Sequence, residues 1–184
     1  MIITSIDIGH SNLGLVQAFI DDEWSVTIRY AKKINLKYLP HTKVDVRKCC
    51  IPHTFETVDL VAHFIQEYGV FMDEADVVLI ERQPPTGLTA IEALLFSAYR
   101  KKATLISPNS LHKHFCIGSL EYEKRKEQTE RIAEEYLHDF NLPVRKHDIA
   151  DAVCMILFYI HKPKEKHRWD QIDRTLPFEN FRLQ

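Results

Sequence analysis

No two cysteines in this chain of 184 residues are spaced CxxC, and the four present, Cys49, Cys50, Cys116 and Cys154, form no zinc-ribbon or thioredoxin-like pattern. They are expected as free thiols in a reducing compartment. Grouping Cys49, Cys50 and His53 with His112, His114 and Cys116 around zinc finds no recognised ligand spacing in either half. No apolar run approaches the roughly 20 residues that span a bilayer, so no membrane-spanning helix is expected. The first apolar stretch, MIITSIDIG, lacks a basic leader and a small-residue cleavage pattern. It does not read as a secretory signal, and an intracellular protein is expected. Basic charge is not in excess either: 24 Lys and Arg against 26 Asp and Glu leave a formal net charge of −2. Any footprint for a polyanion must therefore be local. There is no internal repeat.

What is present suits one soluble domain, with 45% hydrophobic and 27% charged residues. Residues 2–8 place Ile2, Thr4, Ile6 and Ile8 on one face of a half-buried strand and Ile3, Ser5 and Asp7 on the other. After the turn GHSN, the runs LGLVQAFI and WSVTIRYAKKI complete an antiparallel meander of three strands. An amphipathic helix is expected over 54–68, with Phe55, Val58, Val61, Phe64, Ile65 and Tyr68 as its stripe and Gly69 after it. VVLI then reads as a strand buried on both faces, ending at Glu81 ahead of Pro84 and Pro85. A helix over 89–102, a strand over 103–107 and a short helix from Pro108 to about Phe115 follow. The polar helix over 120–140 carries the stripe Tyr122, Thr129, Ala133, Tyr136 and Phe140, with Lys126 where an apolar residue was due. The last helix, 148–161, is apolar nearly all round and carries its only charges, Asp148 and Asp151, at its start. The fold class is α/β: a mixed sheet with helices packed on it, spanning residues 1–162. A mixed-charge tail of residues 163–184 has no periodic face.

Ligands of such sheets bind beyond the carboxyl ends of strands, where Asp7 and Glu81 both fall. Asp148 and Asp151 are three apart and so share one helix face, which lets four carboxylates converge from two strands and one helix. Unpaired acids that close raise each other's pKa unless a divalent cation holds them ionised, and an all-oxygen set favours magnesium or manganese. Two such ions would activate a water and clamp a phosphate for in-line phosphodiester hydrolysis. Each residue also has a plainer reading. Asp7 can be a polar residue on a solvated strand face, Glu81 a partner of Arg82 or Arg100, and Asp148 an N-cap completed by Asp151. Lys126 can snorkel to solvent instead of pointing at a scissile phosphate, and His147 is read as a surface residue outside the site. Basic residues gather at 100–102, 124–126, 145–146 and 162–168, either to contact phosphates or, at 100–102, to finish a helix end.

Five segments in order, SIDIGHSNLG (5–14), VLIERQP (78–84), LISPNSL (105–111), YEKRKEQT (122–129) and RKHDIADAV (145–153), resemble RuvC-type Holliday-junction resolvases. The resemblance is closest to the branch of poxviruses and other large DNA viruses, and covers roughly residues 2–161. It implies a ribonuclease-H-like fold with a five-stranded mixed sheet, the meander plus parallel strands, flanked by helices. It also implies metal-binding acids at Asp7, Glu81, Asp148 and Asp151 with two Mg2+ ions (or Mn2+) per site, and Lys126 as the basic residue beside them. A homodimer would cut opposed strands of four-way junction DNA, in viral recombination or concatemer processing, in the host cytoplasm or at the site of viral DNA replication. Residues 32–52 and the tail match nothing in the family's pattern. Rival readings are a ribonuclease H or RNA-processing nuclease of the same fold, a catalytically silent junction-binding scaffold, and an actin-like ATPase, which five glycines in the chain argue against.

Overall fold

The period-two alternation of residues 2–8 does build a strand, β1 (Ile2–Ile8), but both its faces are covered. In the computed structural model, which describes residues 1–9, 12–39, 49, 51–52, 54–141 and 146–161, β1 is the middle of a five-stranded sheet. The remaining elements are β2 (Asn12–Ile20), β3 (Val26–Asn35), a 3-10 turn (Leu36–Tyr38), α1 (Thr57–Glu74), β4 (Val77–Glu81), α2 (Thr89–Ala98), β5 (Ala103–Ile106), α3 (Pro108–His114), α4 (Tyr122–Leu137) and α5 (His147–His161). The sheet runs β3-β2-β1-β4-β5, antiparallel through the meander and parallel from β1 to β4 to β5. A position with neighbours on both sides and helices on both faces leaves β1 no solvated side, hence the difference from the half-buried strand expected.

The alternation sorts residues between two cores. Ile6, Ile8, Leu13, Leu15, Val78 and Ile80 meet α1 and α2 on one face. Ile3, Val16, Ala18 and Leu79 meet α5, with α3 and α4 behind it, on the other. Since Ile3, Ser5 and Asp7 alternate together, as do Leu79 and Glu81, both acids point to the α5 side. Beneath α1, Gln17 donates to the Phe71 carbonyl at 2.9 Å and Thr4 donates to the same oxygen at 2.7 Å. These bonds satisfy a buried pair that would otherwise cost stability.

Three boundaries differ from expectation. α1 continues through Gly69 to Glu74, and its buried stripe is Val61, Phe64, Tyr68 and Met72, leaving Phe55 and Val58 exposed. Gly69 does not end the helix; a Cβ there would lie 3.3 Å from the Tyr99 hydroxyl, so the missing side chain serves packing against the end of α2. α2 stops at Ala98, and Lys102 reaches back to donate to the carbonyls of Asp73 (2.7 Å) and Ala75 (3.0 Å). One of the basic residues at 100–102 thus closes a helix end, that of α1. In α4 the buried residues are Thr129, Ala133 and Leu137, while Tyr122 is half exposed, because α5 crosses only the later turns. Among the described residues no helix is long and apolar enough to cross a membrane. The tail from residue 162, with its basic run, and Cys50, His53 and Arg145 lie outside the described residues.

Candidate active site

Parallel pairing carries Ile6 opposite Ile80, so one step further Asp7 and Glu81 stand side by side at the carboxyl ends of two adjacent strands. Across the other edge of β1, Asp7 is paired with Gly14, and Gly14 with Lys33. Directly paired residues share a face, so Glu81, Asp7, Gly14 and Lys33 form one row across four strands beneath α5. A side chain at Gly14 has no room: its Cβ would fall 1.9 Å from the Asp148 carbonyl oxygen. The gap in the row is where the first turn of α5 sits down, and that contact sets the position of both of its acids.

Asp151, one turn into α5, enters a cavity of about 180 Å³ lined by Asp7, Glu81, Lys126, Tyr122, Arg125, His112 and neighbouring apolar residues. Asp148 does not line it: one carboxylate oxygen stands 3.4 Å from Lys33 Nζ, and the other lies on the Gly9 side. The structure thus brings together Asp7, Glu81, Asp151 and Lys126, with Asp148 beside them. The plainer readings fail for three acids, the first being Asp7, which is buried on a strand with no solvated face. Glu81 forms no ion pair with Arg82 or Arg100 among the described residues; its carboxylate accepts from the Ile8 N–H at 3.3 Å and from Gln83 Nε2 at 2.6 Å. Asp148 lies inside the first turn of α5 and is not its cap. His147, read as a surface residue, is partly buried, with Nδ1 2.7 Å from Glu130 Oε1 of α4.

Charge is concentrated here against solvation. Burial raises the Asp7 carboxyl well above the carboxylate range, and repulsion from Glu81 and Asp151 adds to it while Lys126 opposes it. Burial likewise lifts Glu81 to about 7, with Asp151 adding to the rise and the Ile8 N–H, the Gln83 amide and Lys126 restraining it. Lys126 hydrogen-bonds Asp151, and although burial disfavours its ammonium, the attraction of Asp151 and Asp7 raises its pKa and keeps the charge. His112 is shifted down, by burial first and by Arg125 second. A larger cavity of about 440 Å³ adjoins, sharing His112 and Arg125 and adding Lys113.

The donor set is the oxygen-rich kind that a hard divalent cation selects. Among the described residues no three His, Cys, Asp or Glu side chains close on a common point at ligand distance. Two ammonium groups instead stand in as counter-ions, Lys126 on Asp151 and Lys33 on Asp148. Buried, mutually repelling carboxylates balanced by such stand-ins fit a cation site.

Sequence reasoning missed Gln83 and Lys33, while Arg125 was read only within the basic cluster at 124–126 and His112 only in the zinc grouping. Gln83 had a legible signal, since it lies two residues beyond Glu81 on the same alternating face. Lys33 had none, because its place beside Gly14 depends on strand register.

Solved structures share this architecture. The fowlpox virus Holliday junction resolvase superposes with a TM-score of 0.60 over 87% of this chain and 98% of its own, at 18% identity. The yeast mitochondrial Holliday junction resolvase gives a TM-score of 0.62 over 86% of this chain and 78% of its own, at 16% identity. T. thermophilus RuvC in complex with a Holliday junction substrate gives 0.51 over 86% and 92%, at 13% identity. No family model and no curated protein matches the chain. The sheet order and flanking helices define a ribonuclease-H-like fold. Within that class the fold is the one found in RuvC-type resolvases, poxvirus members included.

Proposed function

We propose that the protein is a divalent-metal-dependent endonuclease that resolves four-way DNA junctions by paired nicks. The observation that carries this reading is the placement of Asp7 and Glu81 on adjacent parallel strands, facing Asp151 of α5, with Lys126 on the same cavity. The junction specificity is drawn from the shared fold with the resolvases of fowlpox virus, yeast mitochondria and T. thermophilus.

Asp7, Glu81 and Asp151, joined by Asp148, would hold magnesium or manganese ions, which when bound supply an activated water and charge stabilisation for in-line displacement at phosphorus. Gln83 donates to one oxygen of Glu81 and fixes the plane of its carboxylate. Lys126 retains its proton and presents a fixed positive charge to a phosphate oxygen at the cavity. His112, Arg125 and Lys113 continue a donor-bearing wall into the larger cavity, where neighbouring backbone phosphates would lie. Paired nicks in opposed strands require two identical sites related by a two-fold axis, so the active form would be a homodimer. The likeness to the fowlpox virus enzyme supports reading the activity as one serving viral DNA recombination and concatemer processing.

The test is incubation with end-labelled four-way junction, duplex DNA and RNA–DNA hybrid in magnesium, with EDTA and a Glu81→Gln variant as controls. Symmetric nicks in the junction alone, lost in both controls, are expected. Junction binding without cutting would reduce the protein to a scaffold, and cutting of the hybrid instead would make it a ribonuclease H.

A further inference from the structure

Lys33 ends the row that begins with Glu81 and Asp7, and it is the only member of that row on the edge strand β3. Strands are about 4.8 Å apart, so Lys33 stands roughly 10 Å from Asp7, with only the bare backbone of Gly14 between them. Over that gap lies the first turn of α5. From there Asp151 reaches the cavity, whereas Asp148 has one oxygen beside Gly9 and the other 3.4 Å from the Lys33 ammonium. Both partners are mostly shielded, with side chains 21% and 15% exposed, so the attraction is less screened than in a surface pair. Asp148 is also the weakest of the three acids acting on Asp7, as a carboxylate directed away from the cavity should be.

We propose that Lys33 is a positioning residue for Asp148: its ammonium holds that carboxylate outside the Asp7–Glu81–Asp151 cavity, and a divalent cation gains Asp148 only by displacing Lys33. This rests on the metal-dependent reading above. It accounts for the three acids found on the cavity where four were expected to meet, and it makes Lys33 a brake on metal occupancy. Lys32 supplies the control. The adjacent residue in the strand points to the opposite face, with its ammonium over the Tyr68 ring of α1, yet its charge is the same.

Manganese binding to the full-length protein, read by the loss of the free-ion electron paramagnetic resonance signal, tests this without reference to cleavage. Lys33→Met and Lys33→Gln should each tighten binding by about three- to tenfold, Lys33→Arg should stay near wild type, and Lys32→Met should change it by less than about twofold. In an Asp148→Asn background the effect of Lys33→Met should vanish. An unchanged or weakened affinity in both neutral variants, an equal gain in Lys32→Met, or a gain that persists in Asp148→Asn would overturn the role of Lys33 and leave the nuclease reading standing. A wild-type protein that binds no manganese would sink both.

Discussion

Asp7 and Glu81 are acids pressed toward neutrality by burial first, with Glu81 and Asp151 adding to the rise at Asp7 and Asp151 adding to it at Glu81, and the small groups around them decide how far. Gln83 matters for that reason: its amide restrains Glu81 and orients it, so Gln83→Leu should lower cleavage about ten- to a hundredfold, as loss of a supporting hydrogen bond does at metal sites. Titration of cleavage against magnesium would show the loss chiefly as a higher magnesium concentration at half-maximal rate. Lys126 restrains the same acids by its charge and is the counter-ion of Asp151. With Lys126→Met, Asp151 faces Asp7 and Glu81 without its counter-ion, and the metal-free protein should lose about 1–2 kcal/mol in urea unfolding. Magnesium should restore more stability to this variant than to wild type.

Between elements, the decisive contact is α5 on β2. Gly14 admits the Asp148 carbonyl to a position any Cβ would occupy, so Gly14→Ala must push the start of α5 off the sheet. Overpacking of this kind costs about 2–3 kcal/mol, and here it moves Asp148 and Asp151 together. Loss of cleavage should therefore exceed what the fall in melting temperature explains, measured at a temperature where the variant is fully folded. The other anchor of α5 is α4, where Thr129 and Ala133 are small enough to allow close approach and the Cys154 thiol, its pKa driven up by burial, donates to the Thr129 carbonyl at 3.7 Å.

For the molecule as a whole, the acid cluster links stability to pH. Glu81 ionises near 7 in the fold against an ordinary 4.5, so the folded state binds the proton more tightly than the unfolded chain. That contribution is fully present below about 4.5 and is lost as pH rises through 7, with Asp7 acting in the same direction. In EDTA the unfolding free energy should fall by roughly 1–3 kcal/mol between about pH 5 and pH 8. Glu81→Gln should flatten this slope, and magnesium should reverse it. At the level of assembly, an equal mixture of wild-type and Glu81→Gln chains that exchange as dimers should give about half mixed dimers, which nick one strand only. Gel analysis of junction products would show these single nicks rising with the variant fraction.

Most elements were legible from pattern alone because burial imposes a period: the meander, the unbroken VVLI strand and the all-apolar α5 stand where hydrophobic spacing puts them. Asp7 and Glu81 stood out in the pattern because a carboxylate at the end of a buried strand has little structural use there, whereas Asp148 and Asp151 at a helix start could equally be caps. Local spacing could not determine where helices end when a distant partner decides it, as the Tyr99 hydroxyl at Gly69 and Lys102 at the end of α1 show. Nor could it determine strand register. Only the paired sheet aligns Glu81, Asp7, Gly14 and Lys33 in one row, and only the close seat of α5 on Gly14 sends Asp151 into the cavity while leaving Asp148 with Lys33. The chain's own order of residues determines which groups can carry charge and which faces must be buried; which charges meet depends on contacts between residues far apart in sequence, and those exist only once the sheet and helices have packed.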